Sequence, residues 1–356
     1  MMTQLLITGG AGFIGSHTCV VLLEAGHDLI VLDDFSNSSA HALERVATLS
    51  HLPPGDAASR RLRTVTGDVN DRQCLDRIFQ QALDSGHPIE AVVHFAGLKA
   101  VGESVQDPLR YWRVNVGGSM TLMRVMDTFA CRTLVFSSSA TLYGYPERVP
   151  IQETASVQPI NPYGHTKAAV ERLLRDLAAS APDRWRIACL RYFNPVGAHA
   201  SGQIGEDPLG IPNNLFPFVS QVAVGRRERL QIFGGDWSTP DGTCVRDYIH
   251  VMDLAEGHKA ALDCLLSEAP QVLTVNLGSG RGISVLEVVN AFGHACGQPI
   301  PHTIVDRRPG DAAITVADPS LALRRLGWRT ERSLDDICRD GWAWQSANPA
   351  GYGQRE

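Results

Sequence analysis

Tyr163 and Lys167 stand four residues apart, directly after Asn161-Pro162. Asn is a favoured helix N-cap and Pro a favoured first helical residue, so a helix starting here carries the phenol and the amine on one face. A phenol with a pKa near ~10 is a poor base at neutral pH, but a cation about 5 Å away lowers it by roughly two units at an effective dielectric of ~20. The pair can therefore take a proton from an alcohol, with Lys167 supplying a positive charge. Alone, Tyr-x-x-x-Lys also describes two neighbours on a solvated helix face. The catalytic reading rests on what lies upstream. Ser137-Ser138-Ser139 ends the strand-like run Thr133 to Phe136, and Thr8-Gly9-Gly10-Ala11-Gly12-Phe13-Ile14-Gly15 lies near the start of the chain. No His-Asp pattern or G-x-S-x-G elbow surrounds the serines, which argues against a nucleophilic hydrolase.

The glycine stretch is entered by the apolar run Gln4 to Ile7 and left by the helical pattern Ser16 to Glu24. Gly10, Gly12 and Gly15 fit G-x-G-x-x-G, whose glycines allow a tight turn, close approach of backbone to a pyrophosphate, and close packing of helix on strand. An anion then sits on unpaired N–H groups at the positive end of the helix dipole. A second apolar run, Leu29 to Leu32, ends in Asp33 about twenty residues on, where a carboxylate accepts hydrogen bonds from an adenosine ribose. It would repel a 2'-phosphate, so the cofactor expected is NAD and not NADP.

Strand and helix patterns continue to alternate. After Asp33 comes a short helix and a surface loop at Pro53-Pro54-Gly55-Asp56; Leu62 to Gly67 reads as a strand, and Leu75, Ile78, Phe79, Ala82 and Leu83 recur at helical spacing. Ala91 to Phe95 is a buried-type strand opening into Ala96-Gly97-Leu98-Lys99, at a strand's carboxyl end where ligands of parallel sheets collect; Lys99 there is either a solvated charge or a ligand contact. Asn115 opens a helix with Met120, Met123, Val125 and Met126 as core, and Arg186 to Arg191 closes the alternation before Tyr192-Phe193-Asn194-Pro195. The fold expected is α/β: a Rossmann-type doubly wound parallel sheet over 1–192, rejoined by 244–262, with a smaller C-terminal α/β lobe over 193–356. Ala198 to Asn214 is long and rich in Gly and Pro, as binding loops are. Leu230 to Gly235, Val245 to His250 and Arg307 to Asp311 read as pieces of the second lobe, with arginines suited to a diphosphate or to solvated ion pairs.

Gly278-Ser279-Gly280-Arg281-Gly282 invites a second phosphate-loop reading, but Ser284-Val285-Leu286-Glu287 is a capping box that explains the turn without a ligand. His17, His94 and His250 lack ligand spacing and are read as hydrogen-bonded structural imidazoles, so no metal is expected. Leu334, Ile337, Cys338, Gly341 and Trp342 mark a last amphipathic helix.

At 356 residues the chain exceeds the size at which single cores stop growing. Its net charge of −6 and lack of a basic run exclude the footprint of a nucleic-acid binder. Eight cysteines without any C-x-x-C pair argue against a zinc site and a disulfide framework. No signal-peptide pattern and no membrane-spanning apolar stretch is found, so a cytoplasmic protein is expected.

With these residues in hand, together with the phrases Phe95-Ala96-Gly97-Leu98-Lys99-Ala100-Val101-Gly102-Glu103-Ser104 and Leu190-Arg191-Tyr192-Phe193-Asn194-Pro195-Val196-Gly197-Ala198, the chain resembles the UDP-glucose 4-epimerase family of extended short-chain dehydrogenase/reductases over nearly its whole length. Gly9, Gly12 and Gly15 also fit that superfamily's G-x-x-G-x-x-G, and Gly210-Ile211-Pro212-Asn213-Asn214-Leu215 and Arg246-Asp247-Tyr248-Ile249-His250-Val251 are more specific still. The resemblance implies that Phe13, Ile14, Asp33, Asn37, Ser38, Asp68, Val69, Phe95, Ala96, Gly97, Lys99, Asn115, Ser137, Tyr163, Lys167 and Phe193 contact NAD. It implies that Tyr163, Lys167 and Ser139 are catalytic, with Lys99, Ser139, Thr141 and Tyr163 facing the sugar. Asn194, Asn214, Leu215, Phe233, Arg246, Arg308 and Asp311 would hold the UDP handle of a UDP-hexose, and Thr315 would wall the sugar pocket. A homodimer is implied as well.

Two departures stand out: His165 and Thr166 replace the usual Lys and Ser, on what is expected to be the exposed helix face, and the loop near Pro53 is longer than usual. A nucleotide-sugar 4,6-dehydratase, the nearest alternative, resembles this chain but carries Asp-Glu after the active-site Thr, where Thr141 is followed by Leu142-Tyr143. A catalytically silent NAD-sensing protein would lack Tyr163 or Lys167.

Overall fold

The computed structural model describes residues 3–52, 61–210, 212, 214–308 and 310–353. The loop expected at Pro53 to Asp56, together with Ile211, Asn213 and Pro309, lies outside the described residues. Strand and helix alternate as β1 (Gln4–Thr8), α1 (Phe13–Glu24), β2 (Asp28–Asp33), α2 (Ala40–Leu49), β3 (Leu62–Thr66), α3 (Arg72–Asp84), β4 (Ala91–His94), α4 (Gly118–Thr128), β5 (Thr133–Ser139), α5 (Pro162–Ser180) and β6 (Arg186–Tyr192). There follow β7 (Asn194–Val196), α6 (Leu215–Ala223), β8 (Leu230–Phe233), β9 (Val245–Arg246), β10 (Tyr248–His250), α7 (Val251–Ser267), β11 (Gln271–Leu277), β12 (Ile283–Ser284), α8 (Val285–Cys296), β13 (His302–Val305), β14 (Ile314–Thr315), α9 (Ser320–Leu326) and α10 (Leu334–Ala347).

The seven-stranded sheet has the order β11-β6-β5-β4-β1-β2-β3, and the pairs from β5 through β4, β1 and β2 to β3 are parallel. The chain winds outward from β1 in one direction and then from β4 in the other, which makes the β1–β4 boundary the topological switch point where ligands of such sheets bind. Strands β4 and β5 are buried along their whole length, as expected for strands covered on both faces. Leu6, Ile30, Val92, Leu134 and Ile187 from the sheet share one core with Ile78 and Phe79 of α3, Leu122 and Met126 of α4, and Val170 and Leu174 of α5.

Helix α5 starts as its sequence dictates: Asn161 accepts a hydrogen bond from the Gly164 N–H at 2.8 Å, and Pro162 occupies the first turn. The helix expected to open at Asn115 begins earlier. A short helix, Val101–Gln106, precedes a second, Pro108–Tyr111, which runs through a π-helical turn, Trp112–Gly117, into α4, and the wide turn carries Asn115 inward. Met120, expected in the core, is 40% exposed, while Met123, Val125 and Met126 are buried.

The chain divides into two compact units, one of 1–144, 157–191 and 255–275, the other of 145–156, 192–254 and 276–356. The stretch that rejoins the first unit is 255–275, which shares 255–262 with the expected 244–262 and extends to β11, the seventh strand. Residues 145–156 go with the second unit through Ile151, whose N–H donates to the Val316 carbonyl and whose carbonyl accepts from Asp318 N, both at 2.8 Å. That unit has its own core, including Phe216, Val219, Ile232, Tyr248, Val288, Phe292 and Ile337. Among the described residues no helix is long and apolar enough to cross a membrane.

Candidate active site

The turn between β1 and α1 admits only glycine at its tightest points. Gly9 has φ +72°, and a Cβ there would lie 2.7 Å from the backbone nitrogen of Ala96. A Cβ on Gly15 would lie 2.4 Å from the Gly9 carbonyl oxygen, so the helix rests directly on the turn. Gly12 is the N-cap of α1, and no side chain caps the helix or adds an acid to its first turn. The N-terminal N–H groups, among them those of Phe13, Ile14 and Gly15, are thereby left to an external anion. Asp33, at the end of β2, accepts from Ala11 N at 2.9 Å, Phe35 N at 3.0 Å and the Ser38 hydroxyl at 2.7 Å. It thus ties the glycine turn to the loop carrying Asn37 and Ser38. Three of about four lone-pair positions are used, which leaves room for a ribose hydroxyl. Burial pushes its carboxyl above the ordinary range, with those three donors opposing. These features fit a dinucleotide cofactor. On the next loops, Asp68 accepts from the N–H and the side-chain amide of Asn70, and Val69 is buried against Gly118.

Asn115 explains the loop after β4. Its Oδ1 accepts from Leu98 N at 2.8 Å, and its Nδ2 donates to the Leu98 carbonyl and to Thr166 Oγ1, both at 3.0 Å. Gly97 sits over this side chain with φ +156°, where a Cβ would meet Asn115 Oδ1 at 3.0 Å; Ala96 is half-buried and Lys99 exposed. Thr166 is therefore not on the exposed face. It is fully buried, and its hydroxyl donates to the Tyr163 carbonyl at 2.7 Å, joining the loop to α5; only His165 points outward. Phe95 packs its ring 4.8 Å from that of His258. His94 is structural, as its lack of ligand spacing implied. Ser119 Oγ donates to the Asn115 carbonyl and so accepts from His94 Nε2, while His94 Nδ1 accepts from Thr8. Burial, and then the charge of Lys167, drives its pKa down to about 3.

Tyr163, Lys167, Ser137 and Ser139 are all buried together at the carboxyl end of β5. Lys167 Nζ donates to the Ser137 carbonyl at 2.7 Å, 5.0 Å from the Phe136 ring centroid and 5.9 Å from that of Tyr163. Ser139 Oγ accepts from the Thr141 hydroxyl at 2.9 Å and its N–H at 3.2 Å. Electrostatically the site differs from the sequence expectation. Burial pushes the Tyr163 phenol above its ordinary value, and the group that pulls it back is the Ser139 hydroxyl, not Lys167. Burial also lowers Lys167 to about 8, so within the chain alone the amine is a weakened cation and the phenol a neutral acid.

The second unit gathers another set. Arg246 on β9 donates to the carbonyls of Val245 and Ala312 and lies 3.6 Å from Asp311, which also accepts from Arg308 at 3.0 Å. The Arg308 guanidinium carbon lies 5.6 Å from the ring centroid of Phe233, which is 40% exposed on β8. Thr315, half-buried on β14, pairs with Arg246. Asn194 on β7 pairs with Tyr248, Phe193 N donates to Leu277 O, and Asn214 stands at the N-cap position of α6, whose first residue is Leu215, without a capping bond from its side chain. The turn at Gly278 to Gly282 wraps an anion of the protein itself: the Asp247 carboxylate accepts from Ser279 N, Ser279 Oγ, Gly280 N and Ala317 N at 2.7–3.1 Å. The capping box at Ser284 and Glu287 is present too.

Sequence reading passed over Glu171 and Arg191, a fully buried ion pair joined at 2.6 Å. The signal was available, since Tyr163, Lys167 and Glu171 recur every four residues on one helix face.

A Rossmann-type sheet with an uncapped glycine turn, and a buried Tyr-x-x-x-Lys helix beside a serine-ended strand, define an extended short-chain dehydrogenase/reductase. A sequence profile of the GDP-mannose 4,6 dehydratase family matches residues 6–341. The UDP-glucose 4-epimerase of Bacillus subtilis is 51% identical over 352 residues, 99% of each chain, and that of Dictyostelium discoideum is 51% identical over 98% of this chain and 97% of its own. The crystal structure of UDP-glucose 4-epimerase from Bifidobacterium longum in complex with NAD+ and UDP superposes with a TM-score of 0.91 at 47% identity, covering 98% of this chain and all of the other. The chain belongs to the UDP-glucose 4-epimerase family.

Proposed function

We propose that this chain is an NAD-dependent isomerase that interconverts UDP-glucose and UDP-galactose. The observation that carries the reading is the burial of Tyr163 and Lys167 on one helix face, beside Ser139, in a chain 51% identical to UDP-glucose 4-epimerases along its length. NAD would be held by Gly9, Gly12, Phe13, Ile14, Gly15, Asp33, Asn37, Ser38, Asp68, Val69, Phe95, Ala96, Gly97, Lys99, Asn115, Ser137, Tyr163, Lys167 and Phe193. When bound, it supplies a hydride acceptor, and then donor, for the sugar C4.

Tyr163 removes the proton of the sugar 4-hydroxyl and returns it when the 4-keto sugar is reduced from the opposite face. Its phenol must ionise for this, and burial alone opposes that. The anionic form is favoured by the Ser139 hydroxyl and would be favoured further by the positive charge of oxidised NAD, while Lys167, weakened by its own burial, stays fixed at the Ser137 carbonyl. Lys99 and Thr141 face the sugar with Ser139. Asn194, Asn214, Leu215, Phe233, Arg246, Arg308 and Asp311 retain the UDP handle while the keto ring turns over, so both faces of C4 are presented in turn.

The 4,6-dehydratase reading lacks its acid/base pair: Leu142 and Tyr143, both buried, follow Thr141. The active form is a homodimer, a reading supported by the exposed apolar side chains Val105, Leu109 and Trp112. Product analysis of purified protein given UDP-galactose without added NAD tests the reaction. UDP-glucose is expected; a 6-deoxy-4-keto product points to the dehydratase, and no turnover to a silent NAD-binding protein.

A further inference from the structure

Buried charged groups anchor both ends of the turn that carries Ser139 and Thr141. At its start, Lys167 Nζ donates to the Ser137 carbonyl at 2.7 Å. One helical turn further along α5, Glu171 Oε1 accepts from the Ser138 hydroxyl, also at 2.7 Å. At its far end, Arg191 Nη1 donates to the Tyr143 hydroxyl at 2.9 Å, with the guanidinium carbon 5.0 Å from that ring's centroid. Glu171 and Arg191 are themselves joined twice, Nε to Oε1 at 2.9 Å and Nη2 to Oε2 at 2.6 Å, with side chains 1% and 2% exposed. Burial pushes the Glu171 carboxyl up, but the bonds and charge of Arg191, with the Ser138 hydroxyl, more than offset it, so the pair is ionised.

A buried ion pair is an expensive way to fill a core, since apolar side chains of similar volume often stabilise a fold as well or better. What this pair adds is direction. Its partners beyond itself include the residues that bracket the Ser139–Thr141 turn, and its carboxylate belongs to the helix that carries Tyr163 and Lys167. We propose that Glu171 and Arg191 are positioning residues that clamp the hydroxyl-bearing turn against the Tyr163 helix, fixing Ser139 within reach of the Tyr163 phenol. This rests on the reading of Tyr163 and Ser139 given above. A shift of the strand end along α5 would break the Lys167–Ser137 and Glu171–Ser138 bonds together, so the two lock one register. The Ser139 hydroxyl holds the Tyr163 phenol down against burial, so a loosened turn raises the pH at which Tyr163 ionises.

Ser138→Ala and Tyr143→Phe each delete one hydroxyl at an end of the clamp without leaving a charge unpaired, so they keep the test open where Glu171→Gln fails to fold. The holoenzyme variants are compared by melting curve, kcat and KM for UDP-galactose, and the pH profile of kcat, with Tyr163→Phe alongside. For both single-hydroxyl variants the expected result is a kcat lowered about fivefold or more, KM within about twofold, and the acid limb of kcat moved upward by roughly half a pH unit or more. Folded variants with wild-type kcat and an unmoved pH profile, whatever their melting temperature, overturn the clamp. A fully active Tyr163→Phe overturns the function assigned to Tyr163, and the clamp with it; an inactive Tyr163→Phe beside an unaltered Ser138→Ala and Tyr143→Phe overturns the clamp alone.

Discussion

Lys167→Met removes a charge whose burial costs stability, and so separates stability from catalysis. The Lys167 side chain is buried, and its pKa falls from the model-peptide value of ~10.4 to about 8. At about 1.36 kcal/mol per pH unit, that places roughly 3 kcal/mol of unfavourable free energy on the folded state at pH 7. Met fills nearly the same volume without the charge, but it leaves the Ser137 carbonyl without its donor, a loss of about 1–3 kcal/mol. The expected net effect at pH 7 is a gain of about 1 kcal/mol.

The sign with pH is fixed independently. Between pH ~8 and ~10.4 the unfolded wild type still holds a proton that the folded form has released, so wild-type stability rises with pH through that window. The variant lacks this rise. Urea unfolding of cofactor-free protein at pH 7 and pH 9.5 should show the variant about 1 kcal/mol more stable at the lower pH and about 1 kcal/mol less stable at the higher, with similar slopes. Epimerase turnover should fall by about a hundredfold or more at both. A stability difference that is the same at both pH values would refute the reasoning, because it would mean that Lys167 does not change protonation in that window.

Tyr163→Phe should lower turnover by roughly a hundredfold or more while NAD stays bound, measured by kcat and by cofactor retained on gel filtration; wild-type turnover would remove Tyr163 from the mechanism. Gly15→Ala would force a Cβ to within 2.4 Å of the Gly9 carbonyl, a backbone atom that cannot swing aside. It should cost about 1–3 kcal/mol of stability and weaken NAD binding by about tenfold or more, read by calorimetry; unchanged affinity would deny the turn its role. If Thr315 walls the sugar pocket, its small side chain leaves space for a 2-acetamido group, so the wild type should also interconvert UDP-N-acetylglucosamine and UDP-N-acetylgalactosamine. Thr315→Tyr should lose those substrates selectively, by about an order of magnitude or more; a wild type that ignores them would sink the idea.

Six of the seven sheet strands were legible, β3 by its alternation and the rest as apolar runs, and the turns carry their own punctuation: the glycines before α1, Asn161-Pro162 before α5, Ser284 and Glu287 around the start of α8; β11, far along the chain, was not. The failures came where tertiary context decides. Asn115 looked like a helix start because the π-helical turn that carries it inward has no composition of its own. Thr166 looked solvated because a single helix does not reveal that a neighbouring loop, through Asn115, covers that side. A nearby cation is visible in the spacing of Tyr163 and Lys167, but burial, which acts on both groups and is the larger effect, is not. The returning stretch expected at 244–262 overlaps the observed 255–275 only over 255–262, since β9 and β10 pair with short strands of the second unit, which no periodicity in so few residues can announce.

The central claim is that C4 loses and regains the same hydrogen, Tyr163 moving only the hydroxyl proton. Purified protein turning over UDP-galactose in deuterium oxide measures this directly, with the UDP-glucose formed examined at C4 by NMR and mass spectrometry. The account predicts UDP-glucose whose C4 carries the substrate's own hydrogen and no deuterium. Substantial deuterium at C4 would contradict it, showing that epimerisation proceeds by proton exchange with solvent.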